Sequence, residues 1–135
     1  MDGWFLNNLN RCQLCSNGAK CIGGLILNCD LFHYCNGNSA YGRLCPNGTY
    51  HDTSRPGLLK TPDECSVCKE KKFCVGGRII DDCNAGYICI SGADSPTPYS
   101  RPLAYACPKG YYCSAGVSEP IVCPNGMFTF YPGAI

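Results

Sequence analysis

Fourteen of the 135 residues are cysteine, and they recur on the shoulder of one short turn. CPNGTY at 45–50 returns as CPKGYY at 107–112 and CPNGMF at 123–128. The general form is Cys, two residues, Gly, one residue, an aromatic, Cys. It can be read seven times, from Cys15, Cys29, Cys45, Cys68, Cys83, Cys107 and Cys123. Glycine holds the third place after Cys in five of these turns, an aromatic holds the fifth place in five, and the closing cysteine is missing only after Cys45 and Cys123. Proline after cysteine presets φ for the second position of a β-turn, and glycine two residues later suits its exit. Such a turn reverses the chain within four residues and returns the next cysteine toward the first. The aromatic supplies a large apolar face with few rotamers to freeze, which suits it as a plug against sulfur.

A longer period encloses the short one. CQLCSNGAKCIGG at 12–24 lies on CSVCKEKKFCVGG at 65–77, with Cys12, Cys15 and Cys21 on Cys65, Cys68 and Cys74 and both glycine pairs in register. The expected organisation is therefore a first cysteine-rich repeat over 1–64 with six cysteines and a second over 65–135 with eight. The second interposes an extra Cys107-to-Cys113 turn and a Ser/Pro/Ala-rich segment at 90–106, which reads as an exposed loop of extended character. Both counts are even, so each repeat is expected to close its own bonds. Seven bridges would then use Cys12, Cys15, Cys21, Cys29, Cys35, Cys45, Cys65, Cys68, Cys74, Cys83, Cys89, Cys107, Cys113 and Cys123. Fifteen pairings are open to six cysteines, and the sequence selects none of them. After CPNGMF the chain ends on TFYPGAI, short of where another C-x2-C would fall. A segment of a longer tandem array, truncated at its C-terminus, is the expectation.

The remaining composition explains why sulfur must carry the fold. Leu, Ile, Val and Phe are 27 of 135 residues, marginal for an independent apolar core. A chain this poor in aliphatics needs covalent staples against conformational entropy. The fold class expected is a small disulfide-rich one: tandem cysteine-knotted modules with short β-hairpins, little regular secondary structure and an elongated form. A net charge of +1 lacks the clustered basic surface that nucleic acid requires. The one basic run, KEKK at 69–72, reads as a solvated face. The longest aliphatic run is LIL at 25–27, far below the ~20 residues of a membrane span, so no membrane insertion is expected in this segment. Disulfides need an oxidising compartment, yet MDGWFLNNLNRC lacks the basic and apolar regions of a secretory signal. An extracellular, secreted or cell-surface location is expected, with any signal outside this segment.

CPKGYYCSAGVSEPIVCPNGMFTFYPGA at 107–134 resembles the ephrin-receptor-like cysteine-rich repeats, with 29–89 matching more loosely. Pro120 stands where the family has the first cysteine of a C-x2-C. The resemblance implies extracellular, disulfide-bonded stalks and spacers and supplies no catalytic residue. A bond order resembling that of epidermal growth factor would give Cys12–Cys21, Cys15–Cys29 and Cys35–Cys45.

Catalytic and metal chemistry find little support. Two C-x2-C pairs could share a zinc ion, but the cysteines run continuously along the chain instead of grouping in fours. A redox pair of the thioredoxin type needs a βαβ context that is absent. His33 and His51 have no evident orienting partner. No enzyme activity, cofactor or metal is expected. Asn47, in the sequon NGT on a turn, is a candidate N-glycan site, and Ser95 and Thr97 in SPTPYSRP are candidates for O-linked sugar. Trp4, Phe5, Phe128, Phe130 and Tyr131 lie outside the knots and are the candidate assembly contacts. Expected partners are copies of itself or neighbouring repeats of the same chain, together with glycans. The function expected is a structural module of a stalk, coat or filament assembling end to end. A partner-recognition module of a receptor ectodomain is the alternative.

Overall fold

In the computed structural model, which describes residues 2–55 and 57–135, the chain forms two compact units. One is Met1–Pro46 with His51–Ser66, and the other is Asn47–Tyr50 with Val67–Ile135. The fold is small and disulfide-rich, as expected, and is built from short antiparallel hairpins. Among the described residues there is no α-helix, and one 3-10 turn runs over Pro62–Glu64.

The first unit holds β1 (Trp4–Leu6), β2 (Cys12–Leu14), β3 (Ala19–Ile22), β4 (Leu25–Asn28), β5 (His33–Tyr34) and β6 (Arg43–Leu44). They pair β1 with β2, β3 with β4 and β5 with β6. Next come β7 (Thr49–Tyr50), β8 (Ser66–Val67), β9 (Lys72–Val75), β10 (Arg78–Asp82), β11 (Tyr87–Cys89), β12 (Ser100–Arg101), β13 (Ala104–Ala106), β14 (Tyr111–Tyr112) and β15 (Ile121–Val122). In the second unit β9 pairs with β10, β14 with β15, and β13 lies between β11 and β12. The duplicated glycine pairs make the two equivalent hairpins. Ile22 pairs with Leu25 and Val75 with Arg78, so Gly23-Gly24 and Gly76-Gly77 form two-residue loops. All four have positive φ, which the tight turn matching strand twist demands.

The short turn is the actual building block. Its third residue after the cysteine is left-handed in every copy, at φ 85° for Gly18, 84° for Gly48 and 87° for Gly86. Where the sequence lacks glycine, Phe32 and Lys71 adopt the same conformation at φ 68°. This residue offers its backbone to the following turn in both directions. Within the first unit Cys15, Cys29 and Cys45 donate their N–H to the carbonyls of Gly3, Gly18 and Phe32 at 2.8–3.3 Å. Within the second, Cys68, Cys83, Cys107 and Cys123 donate to Gly48, Lys71, Gly86 and Gly110 at 2.8–3.0 Å. The same third residues donate back to the next closing cysteine, as Gly18 N–H does to Cys35 O (2.7 Å) and Gly86 N–H to Cys113 O (2.8 Å). Gly3 takes part in this pattern, with Phe5 in the aromatic place, so residues 2–6 form an eighth turn.

Sulfur is the core. All twelve bridged cysteines are buried, and the buried hydrophobics besides them are Ala19, Tyr50, Ile88, Ala93 and Ala104. The aromatic place of one turn packs on the bridge of the next: Phe5 on Cys15–Cys21, Tyr50 on Cys68–Cys74, and Phe73 on Cys83–Cys89. Ile88 does the same on Cys107–Cys113.

Three expectations about bonding are corrected. There are six bridges instead of seven, and Cys12 and Cys123 are unpaired. The order is not Cys12–Cys21, Cys15–Cys29, Cys35–Cys45. Five bridges close single turns, namely Cys15–Cys21, Cys29–Cys35, Cys68–Cys74, Cys83–Cys89 and Cys107–Cys113. Each joins residues six apart, because the reversal itself brings the closing cysteine beside the opening one and little loop entropy is lost. The sixth, Cys45–Cys65, crosses from the first sequence repeat into the second, so the repeats do not close their bonds separately. Turns at 45 and 123 place His51 and Thr129 where the closing cysteine would stand. Cys45 instead takes Cys65.

The segment 90–106 is also more ordered than an exposed loop. It returns through β12 and β13 onto β11, and the small residues Ala93 and Ala104 pack on Cys83–Cys89.

Candidate assembly site

The turn at 123–129 has the opening cysteine, the left-handed glycine and the aromatic of an inner turn, with Thr129 in place of the closing cysteine. Cys123 N–H bonds Gly110 O at 3.0 Å, and Gly110 N–H donates to Thr129 Oγ1 at 2.7 Å. His51 does the equivalent task at the other turn without a closing cysteine, its Nδ1 accepting from Phe32 N–H at 3.1 Å. From sequence His51 reads as a surface residue without a partner. Its place, sixth after Cys45 where cysteine is missing, is the signal that marks it. Replacing these acceptors strands a partly buried amide. His51→Ala and Thr129→Val are each expected to cost about 1–2 kcal/mol by denaturant titration, with Thr129→Ser near neutral. Equal losses for the valine and serine variants would refute that role for Thr129.

Beyond this point the pattern opens. Among the described residues Gly126 N–H and C=O have no partner, whereas both are engaged in the seven turns before it. A Cβ on Gly48 would fall 2.6 Å from Gly92 O and one on Gly86 2.5 Å from Gly133 O, whereas around Gly126, as around Gly110, nothing lies within 4 Å. Phe128 occupies the aromatic place but has no bridge to pack on, and it is 69% exposed where Tyr50 is 8% exposed. Phe128, Phe130 and Tyr131 form an exposed cluster, Phe130 edge-on to Phe128 at 4.7 Å. A cleft of about 530 Å³ beside them is lined by Tyr112, Cys123, Met127, Phe128, Ala134 and Ile135.

The first unit differs. Trp4 and Phe5 are half-buried, and Phe5 packs against Cys15–Cys21. Exposed apolar residues there include Leu6, Leu9 and Ile26, which line a cleft of about 490 Å³. Sequence reasoning took in Leu6 with the apolar stretch WFL at 4–6 but missed Leu9 and Ile26. Cys12 lies exposed in β2.

The other candidates fall elsewhere. Asn47 is exposed on its turn, with Oδ1 accepting from Gly76 N–H at 3.4 Å. Thr97 is exposed and Ser95 half-buried. The basic run is largely occupied: Lys72 pairs with Asp82 at 2.8 Å, and Lys69 lies 5.8 Å from the centre of the Tyr50 ring. The hydrogen bond that Lys72 donates to Asp82, with the charges of Asp82 and Asp81, holds Lys72 above the ordinary lysine value. His33 Nδ1 lies 2.8 Å from Leu31 O, a local turn contact. The C-x2-C pair Cys65 and Cys68 splits between two bridges, so it offers no thiolate pair to a metal. No group of three metal-ligating side chains occurs among the described residues.

Six bridges suit an oxidising, extracellular or secretory environment. No helix among the described residues is long and apolar enough to cross a membrane. No protein-family model and no curated protein matches the chain.

Proposed function

We propose that this chain is a non-enzymatic structural segment of an extracellular tandem-repeat protein, a surface stalk, coat or filament, that joins end to end with further repeats. One observation carries the reading: the 123–129 turn presents a Gly126 backbone with no partner among the described residues and an exposed Phe128, where inner turns hydrogen-bond that backbone and Phe5, Tyr50 and Phe73 pack on the next bridge. Repeats that bury surface chiefly against their neighbours form quasi-one-dimensional objects, and an unfilled repeat face is an adhesive one. The likeness to ephrin-receptor-like repeats supports the same placement at a cell surface or in a secreted structure. Further copies of the repeat are the partners, with sugar on Asn47.

The protein folded under oxidising conditions should sediment as elongated oligomers whose length grows with concentration, and negative-stain images should show rods. Phe128→Ser should shorten them. Compact monomers at micromolar concentration would reject end-to-end assembly and favour a recognition module of a receptor ectodomain.

A further inference from the structure

Asparagine is followed by glycine four times, at Asn17, Asn36, Asn47 and Asn125. In such a pair the backbone nitrogen of the glycine can attack the side-chain carbonyl carbon of the asparagine, because no Cβ on the glycine hinders the approach. The nitrogen attacks only after losing its proton, and a hydrogen bond that it donates keeps the proton in place. Two of the pairs are held in this way. Gly18 N–H donates to Cys35 O at 2.7 Å and Gly48 N–H to Cys74 O at 2.9 Å, and both glycines are buried. Asn36-Gly37 is not. Among the described residues Gly37 N–H has no partner, and Asn36 is exposed with only Ser39 Oγ, 3.5 Å away, on its Oδ1. The fourth pair, Asn125-Gly126, lies in the last turn and is not needed for the contrast.

The second unit shows why Gly37 is open. Gly18 N–H to Cys35 O, Asn38 N–H to Cys15 O and Cys21 N–H to Ser39 O measure 2.7, 3.1 and 2.9 Å. They recur as Lys71 N–H to Cys89 O, Gly92 N–H to Cys68 O and Cys74 N–H to Ala93 O, at 2.8, 3.0 and 2.9 Å. Asn36 and Gly37 therefore correspond to Ile90 and Ser91. There both N–H groups donate to Leu103 O, at 2.8 and 3.2 Å, in the loop between β12 and β13. In the first unit the chain runs from Cys35 to β6 without such a returning segment, and neither Asn36 N–H nor Gly37 N–H donates to a described residue.

We propose that Asn36 is a site of spontaneous covalent modification, converting to isoaspartate while Asn17 and Asn47 are protected by the fold. Hydroxide takes the proton of Gly37 N–H, and the nitrogen attacks Asn36 Cγ. The new C–N bond closes a succinimide ring as the Cγ–Nδ2 bond breaks and ammonia leaves. Water then opens the ring. Opening at Cγ gives aspartate, and opening at the main-chain carbonyl gives isoaspartate, whose chain continues through Cγ. The sum is one water consumed and one ammonia released, with no change of oxidation state. Isoaspartate adds a methylene to the backbone and a free carboxylate beside it. Cys35 O and Asn38 N–H flank the site and hold Gly18 and Cys15 of the preceding turn. With only Asn36 and Gly37 between them, the lengthened backbone no longer fits both bonds, so the modification loosens this joint of the first unit.

The test ages the full oxidised chain, made without glycan and with its free thiols alkylated, in heavy-oxygen water at mildly alkaline pH. Peptide mapping by mass spectrometry then follows each asparagine. Asn36 is expected to convert at least about tenfold faster than Asn17 or Asn47, which must first open a buried hydrogen bond. The product should carry the heavy oxygen and be chiefly isoaspartate. In the reduced, alkylated chain the three should convert at similar rates. Equal rates in the folded chain, the same preference for Asn36 in the unfolded one, or aspartate as the sole product would overturn the proposal. Hydrogen exchange reads the consequence: Gly18 and Asn38 amides should exchange faster in the aged chain than in the fresh one. Asn36→Gln, which closes the larger ring slowly, should keep both amides protected through the same ageing. Unchanged exchange in a converted parent chain would refute the loosening of the joint.

Discussion

Reducing the six disulfides is expected to abolish the fold entirely. In the chain-entropy treatment a bridge spanning six residues restrains the unfolded chain by about 2.4 kcal/mol, and Cys45–Cys65, spanning twenty, by about 3.3 kcal/mol. Such contributions do not simply add, but six of them rival the ~5–15 kcal/mol net stability of an ordinary domain. Little else stands behind them. Among the described residues, the only fully buried large side chains apart from cysteine are Ile88 and Pro98, and burying one isoleucine is worth about 1.5–3 kcal/mol. Amide spectra of the reduced, alkylated chain should collapse to the narrow dispersion of an unfolded polypeptide, at any temperature. Native dispersion surviving with all cysteines blocked would show that hairpins and aromatics suffice and that the sulfur core is dispensable. Alkylation without reduction offers the complementary check, because it should modify Cys12 and Cys123 alone and leave the spectrum in place.

The second large effect is steric and depends on position along the chain. Gly86→Ala and Gly48→Ala place a Cβ 2.5 Å and 2.6 Å from the carbonyl oxygens of Gly133 and Gly92, distances that backbone must move to relieve. The left-handed conformation costs a non-glycine residue about 1–2 kcal/mol, and overpacking adds about 1–3 kcal/mol, so a loss of roughly 3 kcal/mol is expected. Gly126→Ala has the same φ but open space around it, and should lose only the conformational part, about 1–2 kcal/mol. Denaturant titrations of the three variants under non-reducing conditions decide the matter. An equal cost at 126 and 86 would mean that the glycines serve conformation only, and that the carbonyl of the following loop is not a packing partner.

Much of the fold was legible because cysteine, glycine and proline act locally. A Cys-Pro-x-Gly turn reverses the chain through its own dihedral preferences, and a pair of glycines between short strands makes a tight hairpin wherever it occurs. Periodicity therefore exposed the building block before any tertiary contact was known. Phe32 and Lys71 show the limit of that logic. Neither residue type favours positive φ, yet each occupies the glycine place, because hydrogen bonds to the neighbouring turn require that backbone conformation. The turn at Gly3 was likewise hidden, for only its hydrogen bonds to Cys15 and Cys21 reveal it.

Of the assembly candidates, Phe128, Phe130 and Tyr131 are exposed, whereas Phe5 is taken up by the Cys15–Cys21 bridge; only packing could separate them. The sequence by itself determined the sulfur-rich class, the repeating reversal and the hairpin positions, since these follow from backbone preferences spanning four to six residues. Tertiary structure alone decided that Cys45 bonds Cys65, that His51 and Thr129 stand in for cysteine, and that Cys12 and Cys123 remain free. Pairing depends on which sulfurs the turn-to-turn hydrogen bonds bring within a bond length, and spacing along a chain does not encode that distance.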